Sequence, residues 1–285
     1  MSTVTFGTSG YSYKDWEGIL YPPGTRQADY LGIYAQEFDL VELNFAYYKM
    51  PDAALSRRMA ACTGDDFQFT IKGHKSLTHE GNVATVKRDA DQFKRGIDPL
   101  FAAGKLAGVL MQFPFSFHYN DVNRTYVDTL SRQFGEFPLA IEFRNRHWQR
   151  QSVYDGLRDR NITLVNVDEP QLPGLPEQTS LVTAENGYVR FHGRNKENWW
   201  KGDNVSRYDY CYSDSELKEW IPRIQAMALQ AATIMVVFNN HSKGQAVQNV
   251  RRLRDMFKKL TSNACPTAEC RINNTQKETG NENQI

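Results

Sequence analysis

The feature that most restricts how this chain can fold is a repeated pattern rather than a repeated sequence. Eight short stretches rich in apolar and β-branched residues run through it: Val4 to Gly7, Leu40 to Phe45, Phe67 to Lys72, Gly108 to Phe113, Leu139 to Arg144, Thr163 to Asp168, Tyr188 to Gly193 and Thr233 to Asn239. Between most of them lie helical patterns. Strands apolar along nearly their whole length need cover on both faces, which parallel strands with helices outside provide. Eight such units predict a single parallel (β/α)8 barrel of the TIM type. A doubly wound sheet is the rival, but the segment after the first stretch, GTSGYSY, lacks the G-x-G-x-x-G phosphate loop. After the sixth stretch comes EPQLPGLPEQ, with three prolines and no helical period, so the barrel is expected to be irregular around its sixth helix.

The helical patterns can be phased. Val83, Val86, Ala90, Phe93, Ile97 and Leu100 recur at steps of three and four, one stripe of an amphipathic helix. Ala246, Val250, Leu253, Phe257 and Leu260 repeat the pattern in the last helix, opposite a basic face of Lys243, Arg251, Arg252, Arg254, Lys258 and Lys259. Ser213 with Glu216 reads as a capping box opening a helix that Pro222 is expected to kink or split. Residues 1–260 are therefore read as one barrel domain, and residues 261–285, polar and without period, as a disordered tail. The 34 basic and 33 acidic side chains leave no overall field to steer a polyanion, so nucleic-acid binding would have to rest on a local patch. No apolar run approaches the roughly 20 residues of a membrane helix, and the start has no leader pattern, so a cytoplasmic location is expected. The four cysteines, Cys62, Cys211, Cys265 and Cys270, have no C-x-x-C spacing.

Segments after strands are long, notably Thr8 to Gly24 and Arg194 to Tyr212, whereas those leading into strands, such as Gly104 to Ala107, are short. In a barrel the loops that follow strands gather at one end, which marks the working face. Polar residues at these strand ends are Glu42 and Asn44, Lys72, Gln112, Glu142 and Arg144, Asp168, Arg190 and His192, then Asn239, Asn240 and His241. So many buried ionisable groups must pair with one another, as a neutral lattice plugging the barrel, or with a ligand. Arginines suit planar bidentate recognition of phosphate or carboxylate. Arg144, Arg190 and Lys72 are thus candidates for holding an anionic substrate, with Asn44, Asp168, Asn239 and Asn240 as further binding groups. Glu142 and Glu42 are candidate general acid and base, and His192 a candidate proton carrier. The loops after strands also carry Tyr11, Tyr13, Trp16, Phe45, Tyr47, Tyr48, Trp199, Trp200, Tyr208 and Tyr210. Such rings either stack on a sugar or base or glue long loops together; Tyr11, Trp16, Tyr47, Trp199 and Trp200 are taken as binding candidates. The segment Arg194 to Tyr212, with Lys196, Lys201 and Arg207, reads as a lid able to close over an anion.

These segments carry a resemblance. GTSGYSYKDWEGILYP, LVELNFAYY, FTIKGHKSLTH, LMQFPFSF, LAIEFRNRHW, YVRFHGR and VVFNNHSKGQAVQNV together resemble the YecE-like family, domain of unknown function 72, over residues 4 to about 258. The resemblance implies a barrel similar to those of the endonuclease IV and xylose isomerase group, and by analogy suggests DNA processing. A multinuclear phosphodiesterase centre needs many histidine and carboxylate ligands, whereas this chain has six histidines and places three cations in the same mouth. No cofactor is predicted; a single divalent cation held by Glu142, His192 and Asp168 stays open. The leading expectation is acid/base hydrolysis or isomerisation of a small anionic, sugar- or nucleotide-containing substrate. A DNA-binding or DNA-processing protein and a ligand-binding barrel without turnover are the alternatives.

Overall fold

In the computed structural model, which describes residues 2–203, 205–264 and 271–272, all eight stretches are strands: β1 Thr3–Ser9, β2 Leu40–Leu43, β3 Gln68–Lys72, β4 Leu106–Phe113, β5 Leu139–Phe143, β6 Thr163–Asp168, β7 Asn186–Phe191 and β8 Thr233–Phe238. Each pairs in parallel with the next, and β1 pairs with both β2 and β8, which closes the barrel. Closure leaves no open strand edge within it. The helices are α1 Tyr30–Glu37, α2 Phe45–Tyr48, α3 Ala53–Ala61, α4 Lys75–Thr78, α5 Val86–Ala102, α6 Asp121–Arg132, α7 Gln151–Arg158, α8 Asp214–Ala228 and α9 Gln245–Ala264. No helix lies between β6 and β7, where the prolines fall.

The expected caps and stripes mostly form. The Ser213–Glu216 capping box opens α8, but Pro222 does not split the helix, which runs on to Ala228. Lys218, whose carbonyl Pro222 leaves without its helical donor, is on the exposed side, where water can take that bond. Val86 to Leu100 form the buried stripe of α5, whereas Val83 stands outside the helix and is exposed. In α9, Ala246, Val250, Leu253 and Phe257 are buried and Leu260 is half exposed. Its basic face is largely neutralised: Arg251 and Arg254 reach Glu37, and Arg252 reaches Asp214. Helix α9 extends into the segment expected as a tail, and a short strand, β9 Arg271–Ile272, pairs with Thr3 and Val4 of β1. The rest of that segment lies outside the described residues.

Strand parity divides the barrel wall. Leu40, Leu110, Ala140, Val165, Val167, Tyr188, Met235 and Val237 form a separate cluster inside the barrel, and their neighbours pack outward against helices. Two residues beyond these interior positions, toward the carboxyl ends, the same parity carries Glu42, Gln112, Glu142, Glu169, Arg190 and Asn239. Hydrophobic packing thus fills the lower barrel, and the polar groups are stacked on top of it. No helix among the described residues is long and apolar enough to cross a membrane.

Candidate functional site

The polar layer is held together by two carboxylates gripping two guanidinium groups. Glu142, at the end of β5, takes Arg190 Nη1 on one oxygen at 2.5 Å and Arg144 Nε on the other. Glu42, at the end of β2, accepts from Arg190 Nη2 at 2.6 Å, from the Tyr188 hydroxyl at 2.6 Å and from Ser9 Oγ. Both carboxylates are completely buried, and Arg190 is 2% exposed. Burial alone would raise the Glu142 carboxyl, but Arg144 and then Arg190 hold it well below the usual carboxylate range. Burial likewise opposes the charge on Arg190, and Glu142 and Glu42 outweigh it, so the guanidinium is fixed in its charged form.

Arg144 reaches further, donating to Glu169 at 3.0 Å and lying 3.0 Å from His192 Nε2. Burial pushes the Glu169 carboxyl up to about 8 against the pull of Arg144, with Glu142 and Asp168 adding to the rise. Burial, followed by Arg144, lowers the His192 imidazole to about 3. His192 is therefore a neutral hydrogen-bonding ring at physiological pH, set between Glu142 at 3.3 Å and Asn239 at 3.1 Å.

Above this layer opens a cavity of about 290 Å³, lined by Tyr13, Asn44, Tyr47, Tyr48, Lys72, Gln112, Arg144, Arg190, Tyr208, Asn239 and His241. Its lining contains three cations and no carboxylate. Glu42, Glu142 and Glu169 all lie behind the arginines, out of contact with solvent. Lys72 Nζ lies 4.3 Å from the centre of the Tyr47 ring. Burial, then Arg190, lowers its amine to about 8 in spite of Glu142 and Glu42. Larger clefts of about 510 and 530 Å³ lie on the outer helices. Arginines there, such as Arg160 on Asp128 and Arg124 on Asp121, are already paired at the surface.

The structure brings together most of the residues singled out in the sequence, at different depths. Arg144, Arg190, Lys72, Asn44, Asn239 and Tyr47 line the cavity; Glu142, Glu42 and His192 lie beneath it. Asp168 and Asn240 have the opposite parity and face outward. Asp168 accepts from Tyr212, Trp220, Gln178 and Arg194, and Asn240 donates to Asn249 and the Tyr210 carbonyl. The trio left open as a cation site, Glu142, His192 and Asp168, therefore does not converge, and no group of three His, Cys, Asp or Glu side chains suited to a metal occurs among the described residues. Trp16 is wholly buried, tilted against Tyr13 at 4.8 Å and donating to the His241 carbonyl at 2.8 Å. Trp199 is buried within 5.7 Å of the Arg144 guanidinium, Trp200 leans on Phe115, and Tyr11 packs near Tyr34. Arg194, in the segment read as a lid, is anchored to Asp168, Glu216 and Glu219, while Tyr208 of the same segment reaches the cavity. Glu169 is the group that sequence reading missed. Its signal was parity, because Val165 and Val167 point inward and Glu169 is next in that series.

The family model described as "Protein of unknown function DUF72" matches residues 5–271. Among curated proteins, the chain is 31% identical over 269 residues to the UPF0759 protein YunF of Bacillus subtilis, covering 89% of this chain and 94% of that one. Among solved structures, a DUF72 family protein from Thermotoga maritima superposes with a TM-score of 0.82 at 39% identity, covering 91% of this chain and 99% of the other. Another DUF72 family protein, from Enterococcus faecalis, gives 0.81 at 26% identity, with 90% and 95% covered.

Proposed function

The chain belongs to the DUF72 family of proteins of unknown function, and from that premise we propose that the barrel mouth binds and transforms a small phosphate- or carboxylate-bearing molecule with a sugar- or nucleotide-like part. One observation carries the reading: the cavity is lined by Lys72, Arg144 and Arg190 with no acid on its surface. A neutral salt-bridge plug would bring its carboxylates to the same surface as its cations. Here the carboxylates are buried and fix the guanidinium groups in place at the cavity wall. A volume of about 290 Å³ suits a small molecule, and the Tyr13, Tyr47, Tyr48 and Tyr208 rings offer stacking surface beside the charge.

The reaction class in view is acid/base hydrolysis or isomerisation. Glu142, Glu42 and His192 serve it by positioning the arginines. Lys72, whose amine is lowered to about 8, is a cavity-lining group able to exchange a proton near neutral pH. The paired arginines of α9 favour no second reading toward nucleic acid. The test is calorimetric binding of inorganic phosphate, sugar phosphates, nucleoside monophosphates, dicarboxylates and neutral sugars to wild type and Arg144→Met. Anions are expected to bind, more weakly at high salt, and to lose at least tenfold in affinity in the variant. Equal binding of neutral sugars, or anion binding indifferent to Arg144→Met, refutes the reading.

A further inference from the structure

We propose that Lys72 forms an imine with its ligand, so that the molecule taken up is an aldehyde or ketone that also carries the anionic group. This deepens the anion-site reading and rests on it. Lys72 ends β3 and projects into the cavity beside the two arginines. Those arginines are committed to carboxylates, whereas the Lys72 amine has no hydrogen bond or ion pair among the described residues and lies over the face of Tyr47. Lys105, a buried lysine of structural type, shows the contrast. Its ammonium donates to the Ala60 carbonyl at 2.7 Å and to the Thr63 carbonyl at 2.8 Å. A lysine kept in a cavity without such partners is placed for attack rather than for support.

The cationic surroundings serve that chemistry twice. They hold an anionic ligand in register, and Arg190 adds to the burial that chiefly discourages protonation of the amine, which must be unprotonated to attack. At about 8, roughly one amine in ten is free at pH 7, against roughly one in 3,000 for an ordinary lysine. In the step itself the nitrogen lone pair forms a bond to the carbonyl carbon, and the C=O π pair moves to oxygen. That oxygen takes up the proton lost from nitrogen. The resulting carbinolamine loses its hydroxyl, with a second proton, as water, leaving C=N. Amine and carbonyl thus give imine and water, with no oxidant or reductant.

The test uses pyridoxal 5′-phosphate, pyruvate and dihydroxyacetone phosphate as probes on the full chain, each followed by borohydride, digestion and mass spectrometry. At least one probe is expected to label Lys72 tenfold or more above any of the other 13 lysines, with excess inorganic phosphate suppressing the label. Pyruvate and dihydroxyacetone phosphate separate a carboxylate-bearing from a phosphate-bearing carbonyl. Lys72→Arg is expected to lose the adduct. Label spread over surface lysines with no excess at Lys72, while phosphate still stabilises the wild type, overturns the imine and leaves the anion site standing. Failure of phosphate to stabilise the wild type removes both.

Discussion

Replacing Glu142 by Gln probes the layer beneath the cavity most sharply. Glu142 neutralises Arg144 and Arg190 at once, and all three side chains are nearly or fully buried. Removing one partner of a buried pair costs about 3–5 kcal/mol, because a desolvated charge is left behind. Two compensations place this variant at the low end of that range. Arg190 keeps Glu42 at 2.6 Å, and Arg144 keeps Glu169 at 3.0 Å. Glu169 is neutral near pH 7 partly because Glu142 repels its charge, so removing that charge lets it ionise and take over. A loss of about 3 kcal/mol lowers the urea midpoint by about 1 M at an m value near 3 kcal/mol/M. Inorganic phosphate at 100 times its Kd should restore about 2.7 kcal/mol. A destabilisation below about 1 kcal/mol would refute the view that Glu142 acts through the arginines.

Further outcomes are expected from other residues. Sulfate, which does not titrate in this range, should lose about tenfold in affinity as pH rises from 7 to 10 and Lys72 gives up its charge, the scale of one charge-assisted hydrogen bond; Lys72→Arg should flatten that profile in calorimetry. His192 takes a proton near 6.5 when unfolded and near 3 when folded, so its contribution is present above 6.5 and is lost as pH falls through that window. His192→Gln should reduce the fall in unfolding free energy between pH 6.5 and 5, followed by urea denaturation, by up to about 2 kcal/mol, and an unchanged slope would contradict a neutral buried ring. Asp168→Asn removes an acceptor shared by Arg194, Tyr212, Trp220 and Gln178. It should cost about 3 kcal/mol in urea denaturation and leave phosphate affinity unchanged, since Asp168 faces away from the cavity.

Much of this architecture was legible before any coordinates. Strand positions followed from apolar runs, because a parallel barrel buries both faces of each strand, and the working end followed from loop length. Pairs set two apart, Glu142 with Arg144 and Arg190 with His192, do share a face, the second pair both reaching Glu142. Asp168 shows what was lost by collecting strand-end residues without phasing them: one position separates an inward carboxylate, Glu169, from an outward one. Depth was not legible at all. Strand stagger and side-chain reach set it, and they put Glu42 and Glu142 under the arginines rather than beside them. Nor can local sequence tell a ring that meets a ligand from one that packs a loop, as Trp16 shows by burying itself between Tyr13 and Tyr21.

The most direct measurement is a crystal structure of the protein grown or soaked near neutral pH with inorganic phosphate. Tetrahedral density is predicted in the mouth, with oxygens about 2.7–3.2 Å from Lys72 Nζ and from nitrogens of Arg144 and Arg190. Phosphate found only on outer surface side chains, with none held between these three cations, would contradict the account.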